Sequence, residues 1–303
     1  MAPSKLDVLN LPDEFDLEFY RRYHEDLRDF TDNELFMHHS LFGQKEGRAT
    51  SAGSVRSSFI GLIPKDTAVL EIGPFCNPAV TGSRVKYFDV LNSKELKRKA
   101  QGHKLDLTRC PEKIHYVSPT GDLSVVGDKF DVVFSSHCIE HQPNLVKHIR
   151  DVDRILADSA YYFLIIPDKR YCFDYFIEES SIADIIDAHI RGRVLHEPRS
   201  VIEHQLLRTH NDSLRHWKGD HGIRRIDEDA GLLLSATAEA ERCADVYIDT
   251  HAWQFTPESF RRNFELLFAT GLSPLKPHRV YQTPYGSNEF CAVLGRPRPR
   301  MEV

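Results

Sequence analysis

The feature that most constrains this chain is an alternation, through its middle, between short continuous apolar runs and helical patterns. Residues 68–72 (AVLEI) are an apolar run closed by Gly73-Pro74, 85–90 (VKYFDV) suit a strand, and 93–101 (SKELKRKAQ) suit a helix. Further on, 130–136 (FDVVFSS) read as a strand, 144–156 (NLVKHIRDVDRIL) place Leu145, Ile149, Val152 and Leu156 on one helical face, and 161–167 (YYFLIIP) read as a buried strand. Strands without polar alternation need cover on both faces, and helices between them make them parallel. The pattern predicts an α/β, doubly wound, mostly parallel sheet. It closes with a helix in FTPESFRRNFELLFATG, with Thr256 as cap and Pro257 in its first turn, followed by strands HRVYQT and EFCAVLG.

Two stretches depart from that rhythm. Residues 14–48 mix aromatics and charges at helical spacing up to Gly47, and small polar residues follow from Ala49 to Ser58. This predicts a helical N-terminal appendage and linker over 1–57, ahead of a main domain over 58–303. Residues 168–250 contain a helical stretch (IADIIDAHIRGR) and a histidine-dense run, and predict a helical insertion after the fifth strand.

With 303 residues, 41% of them hydrophobic, the chain can bury a sizeable core. Its net charge of -6 argues against a general electrostatic hold on nucleic acid or anionic lipid. No apolar run approaches the ~20 residues of a membrane span, and the first ten residues lack a signal-type apolar core, so a cytoplasmic location is expected. Cys76, Cys110, Cys138, Cys172, Cys243 and Cys291 form no C-x-x-C pair, so neither a disulfide framework nor a zinc ribbon is expected and reduced thiols are the default.

The chemistry concentrates at the first strand-to-helix turn, Val69-Leu70-Glu71-Ile72-Gly73-Pro74-Phe75-Cys76-Asn77-Pro78. A glycine lets the backbone approach a ligand, and an acidic group nearby can hold an ammonium. Asp89 ends the second strand, where a carboxylate can accept from ribose hydroxyls. Gly121-Asp122-Leu123 precede the fourth strand, and Asp122 could accept from an adenine amine. A G-x-G-x-x-G fingerprint is absent, since Phe75 and Asn77 replace its later glycines, and this disfavours a dinucleotide.

These residues, in this order, resemble the class I (Rossmann-like) S-adenosylmethionine-dependent methyltransferases. The likeness runs over about residues 60–295 and includes Ser135-Ser136-His137-Cys138-Ile139-Glu140-His141, similar to an S-x-H-x-x-E-H segment after the fourth strand in many such enzymes. It implies a seven-stranded sheet, S-adenosylmethionine as cofactor, and a cofactor site of Glu71, Gly73, Pro74, Phe75, Asn77, Asp89, Asp122, Leu123, Ser136 and His137. The turn Ala157-Asp158-Ser159-Ala160 and the long insertion depart from the usual pattern. A looser resemblance, carried by Phe15 to Tyr20 and His39 to Arg48, links the appendage to modules of bacterial polysaccharide-biosynthesis enzymes. It implies a sugar hydroxyl of a polysaccharide or glycolipid precursor as acceptor. A small-molecule N- or O-methyltransferase, a cofactor-binding regulatory protein without catalysis and an NAD-dependent oxidoreductase are the alternatives.

Methyl transfer to a hydroxyl needs an aligned acceptor and a proton acceptor, and histidine suits the latter near neutral pH. His141 is one candidate, and like His137 it could equally be a structural hydrogen-bonder. His137-x-x-Glu140-His141 also matches the H-x-x-E-H peptidase pattern, but that pattern needs one continuous helix, whereas a strand runs into this one and Pro143 follows it. The insertion offers His204, His210, Asp212, His216, Asp220 and His221, readable as surface or packing residues, as a general-base set, or as a metal site. His210 and His221 join the catalytic candidates in preference to a metal, and no metal ligand is assigned. Tyr285 to Glu289 form a loop that could reach over the acceptor pocket, or simply a hairpin turn. Acceptor atom and oligomeric state are not encoded legibly.

Overall fold

Apolar runs with no polar alternation become interior strands, and here they line up as one seven-stranded sheet. The computed structural model describes residues 11–297. Its strands are β1 (Val69–Ile72), β2 (Val85–Asp89), β3 (Tyr116–Val117), β4 (Phe130–Ser136), β5 (Leu156–Pro167), β6 (Lys276–Val280) and β7 (Glu289–Gly295), in spatial order β3-β2-β1-β4-β5-β7-β6. The pairs β1/β2, β1/β4, β2/β3 and β4/β5 are parallel, while β7 runs antiparallel to both β5 and β6.

The helices are α1 (Leu17–Tyr23), α2 (Asp32–His38), α3 (Arg56–Gly61), α4 (Ser93–Gly102) and α5 (Leu145–Ile155), then α6 to α10 between Ile182 and Arg242, and finally α11 (Pro257–Ala269). Both sheet faces are covered. One layer gathers Leu70 and Ile72 of β1, Ile149 and Val152 of α5, and Phe260 and Phe264 of α11. The other gathers Val69 of β1, Val132 and Phe134 of β4, and Phe59 of α3. Each such side chain taken fully out of water stabilises the fold by about 1.5–3 kcal/mol.

The helical appendage has a small core of its own in Tyr20, Leu27 and Leu35. The stretch expected to be a linker is instead packed: Ser51 and Ser54 are buried, and a Cβ on Gly53 would lie 2.1 Å from the Tyr281 ring. The insertion is helical, with α7 (Pro198–Leu207) and α10 (Leu232–Arg242) sharing Val201 and Ala240 in a satellite core. The expectation of reduced thiols is corrected at one place, since Cys76 and Cys110 are joined as a disulfide. Their separation of 34 residues hid a proximity that arises only when the β1 turn folds against the segment after α4.

Candidate cofactor site

Strand order reverses between β2 and β4 on either side of β1, and in open α/β sheets ligands bind at the carboxyl ends of the strands at such a reversal. A cavity of about 370 Å³ lies there. The end of β1 supplies Gly73 and Phe75 to its wall, the end of β2 supplies Asp89, α4 supplies Lys99, the exit of β4 supplies His137, Cys138, His141 and Gln142, and the insertion supplies Tyr247 and Asp249.

The turn after β1 shows why this sequence is suited to it. Gly73 has φ +70 and donates its N–H to the Phe88 carbonyl at 2.9 Å; a Cβ there would meet only Cys138 at ordinary contact distance, so conformation rather than space demands the glycine. Phe75 and His137, both in the wall, hold φ +46 and +50, which for non-glycine residues costs roughly 1–3 kcal/mol each.

Asp89 is buried, and its Oδ1 accepts from the Leu91 amide at 3.1 Å. Burial raises its pKa above the ordinary value, against the pull of the Leu91, Val90 and Phe75 amides and of Lys99. Its neighbours in the wall on the β4 side are differently held. His137 Nε2 lies 2.7 Å from Glu289 Oε2, which also accepts from Arg56 at 2.8 Å, so the start of β7 is tied to the cavity wall through His137. His141 Nδ1 lies 3.2 Å from Asp249 Oδ1, and the histidine holds that carboxylate well below its usual range. Cys138 is pushed upward by burial and stays a thiol.

Of the residues expected at the cofactor, the fold brings Gly73, Phe75, Asp89 and His137 together, and the catalytic candidate His141 joins them in the wall. The others lie elsewhere. The Glu71 carboxylate accepts from the amides of Ala79 at 2.8 Å and Val80 at 3.0 Å, so it ties down the turn rather than facing the cavity. Pro74 is buried and Asn77 is exposed. Asp122 caps the short turn Leu123–Val125 through the Ser124 amide and pairs with Lys147 at 3.2 Å, while Leu123 is core. Ser136 accepts from Arg56 at 3.0 Å. His210 and His221 do not line the cavity: with His216 they form a separate cluster, in which His221 stacks on Tyr175 at 3.7 Å and meets His216 Nδ1 at 3.0 Å.

Sequence reasoning passed over Lys99, Cys138, Gln142, Tyr247 and Asp249. Cys138 and Gln142 sat in or beside the S-x-H-x-x-E-H segment, whereas nothing local marks Tyr247 or Asp249.

No family model matches the chain, and no curated protein matches it. Among solved structures, the chain is similar to the mitomycin 7-O-methyltransferase MmcR at 14% identity and TM-score 0.37, over 93% of this chain and 61% of that one, so it spans about three fifths of MmcR's length. It is similar to a S-adenosylmethionine-dependent methyltransferase from Clostridium acetobutylicum ATCC 824 at 7% identity and TM-score 0.41, over 88% and 99% of the two chains. A protein named for Zn-dependent alcohol dehydrogenases, from Rhodobacter sphaeroides, is similar at 12% identity and TM-score 0.43, over 80% and 89%. None reaches a TM-score of 0.5, and the fold is read from the strand order itself. A dinucleotide-binding sheet runs 3-2-1-4-5-6 with all strands parallel. Here an antiparallel β7 is inserted between β5 and β6. By that seven-stranded arrangement, the chain has the class I (Rossmann-like) S-adenosylmethionine-dependent methyltransferase fold.

Proposed function

We propose that this protein transfers the methyl group of S-adenosylmethionine to a polar small molecule. The observation that carries the reading is Asp89, a buried carboxylate at the end of β2 in the wall of the cavity that the Gly73 turn opens. A carboxylate there suits ribose hydroxyls, and the cavity falls within the ~300–1,000 Å³ of small-molecule sites. Methyl transfer is an in-line displacement, so the protein must chiefly align acceptor and sulfonium and take up a proton. His141, in the wall with Asp249 beside its Nδ1, is the residue suited to the proton. A sugar hydroxyl is the narrower acceptor reading, supported by the appendage alone; a cofactor-binding regulator without turnover is the second reading.

Calorimetric titration with S-adenosylmethionine, S-adenosylhomocysteine and NAD tests the cofactor. Both adenosyl ligands should bind, NAD should not, and Asp89→Asn should lower their affinity about tenfold or more, the loss of about 1.5–3 kcal/mol typical of a hydrogen bond to a charged group. NAD binding alone, or unchanged affinity in the variant, defeats the proposal. Release of S-adenosylhomocysteine with hydroxylated acceptors, sugar nucleotides among them, separates enzyme from regulator.

A further inference from the structure

Glu140 lies fully buried in the turn Ile139–His141 that follows β4, and neither of its carboxylate oxygens has a hydrogen-bond partner. A lone buried carboxylate costs several kcal/mol, so something is expected to compensate it. Its backbone carbonyl accepts from Ala252 at 2.7 Å and Trp253 at 3.2 Å, which anchors the segment carrying His251 alongside. The result is a convergence on Glu140 Oε1 of His137 Nδ1 at 3.8 Å, His141 Nε2 at 3.9 Å and His251 Nε2 at 3.9 Å, of which His137 is already engaged through its Nε2 with Glu289. The ligand atoms of Glu140, His141 and His251 all lie within 4.8 Å of one another.

Such separations are too long for hydrogen bonds. They exceed by about half an ångström what two ligands of one ion require, since with bonds of ~2.0–2.1 Å and tetrahedral angles ligand atoms sit roughly 3.4 Å apart, so an ion would draw the side chains slightly inward. A second, independent feature points the same way. His251 gives its other nitrogen, Nδ1, to the buried Asp174 at 2.5 Å, which directs Nε2 and its lone pair toward Glu140. A histidine held by a carboxylate on one nitrogen and offering the other is the usual support of a metal-binding imidazole. His141 repeats the theme less strictly, with Asp249 3.2 Å from its Nδ1 but not aligned for a hydrogen bond.

We propose that Glu140, His141 and His251 bind one divalent transition-metal ion, zinc being the best fit to two imidazoles and a carboxylate, with Asp174 as a positioning residue for His251. Three protein ligands with a position left for water or substrate is the pattern of catalytic rather than structural zinc. His141 also lines the cofactor cavity, so the ion lies at that cavity's wall. This is not the H-x-x-E-H peptidase arrangement: His137 stands outside the helical turn and Glu140 acts as a ligand, not as a base. The site stands on these residues alone and does not depend on the methyl-transfer reading; when it is filled, His141 serves as a ligand and no longer as the proton acceptor proposed above. The competing account is a metal-free ion pair, in which a protonated His251 balances Asp174 and Glu140.

The test is titration of the chelator-stripped full chain with Co²⁺, read by its visible d–d absorption, followed by displacement with Zn²⁺. One equivalent of Co²⁺ per chain is expected, abolished by Glu140→Gln and by His251→Ala, weakened 10–100-fold by Asp174→Asn, and untouched by His216→Ala. Circular dichroism establishes which variants fold. X-ray absorption of the zinc-loaded wild type needs no variant and should show two imidazole nitrogens and a carboxylate oxygen around the ion. Absence of stoichiometric binding in the wild type overturns the proposal in favour of the ion pair. So does undiminished binding in a folded Glu140 or His251 variant, or an ion surrounded by sulfur or by oxygen only.

Discussion

Glu71 places two opposed effects on one carboxyl group. Burial favours its neutral form, while the amides of Ala79 and Val80 favour the charged one, and burial prevails to lift the pKa from 4.5 to about 7. The unfolded chain loses this proton first, so between those values the folded state binds more protons and stability falls as pH rises, by at most roughly 3 kcal/mol. Glu71→Gln removes the titration and turns one amide against the Ala79 or Val80 N–H, a loss of about 1–3 kcal/mol. The stability gap between wild type and Glu71→Gln should therefore be largest at pH 5 and shrink by pH 8, read as urea midpoints. A gap that widens with pH would mean that the two amides outweigh burial. The same residue shows why a site is harder to read than a fold. An acidic residue before a glycine turn is conspicuous in a sequence, but whether it faces the ligand or the loop behind it depends on where residues 79 and 80 return. Asp122 is a second case, legible as an acid before β4 and engaged as a cap once Lys147 and Ser124 are in place. Tyr247 and Asp249 are the converse, since they reach the cavity only through the path of the insertion.

At the scale of elements, α11 shows local and tertiary signals in agreement. Thr256 accepts from the Ser259 amide at 3.2 Å, Pro257 opens the first turn, and Phe260, Phe264 and Leu267 are fully buried. Thr256 also donates to Glu179 at 2.6 Å, linking the start of the helix to the insertion. Thr256→Ala should cost about 1–2 kcal/mol while Thr256→Ser retains most of it, by urea denaturation; equal losses in both would place the effect in the methyl group's packing instead. Elements with such marks were legible: β1, β4 and β7 as apolar runs, α4 by its helix-like composition and α11 by its cap and composition. Others were not. β3 is only Tyr116–Val117, too short for a period, and β5 begins at Leu156, inside the predicted helix, because the chain turns straight from α5 into the sheet with Ser159 at φ +58. β6 lies earlier than HRVYQT suggested, since it starts at Lys276 beside β7.

At the scale of the molecule, the appendage and insertion are joined to the sheet, and the junction can be read optically. Glu14 accepts from the Val280 amide at 2.8 Å and from Arg261 at 2.5 Å, and the Tyr281 hydroxyl donates to the Pro12 carbonyl at 2.9 Å. Gly47, at φ +63, would set a Cβ 2.5 Å from the Trp217 ring, and its carbonyl accepts from the Tyr285 amide at 2.6 Å. Trp217 in turn stacks on Tyr171 at 3.9 Å and donates to the Ser287 carbonyl at 2.8 Å. Appendage, insertion and the loop before β7 thus meet at one indole. The chain has 2 tryptophans, and the other, Trp253, is buried in the sheet's core and donates to Gln142. Trp253→Phe leaves a reporter of the junction, and Trp217→Phe leaves a reporter of the core. Chains beyond about 150 residues often unfold in stages. The number of contacts crossing this junction predicts otherwise: within each variant, the fluorescence and far-UV circular dichroism curves in urea should superimpose, because neither the appendage nor the insertion can open while its partners stay folded. If the Trp217 signal moves at lower urea than the circular dichroism while the Trp253 signal does not, the junction opens by itself, and the cavity that Tyr247 and Asp249 help to enclose opens over a layer less stable than the sheet beneath it.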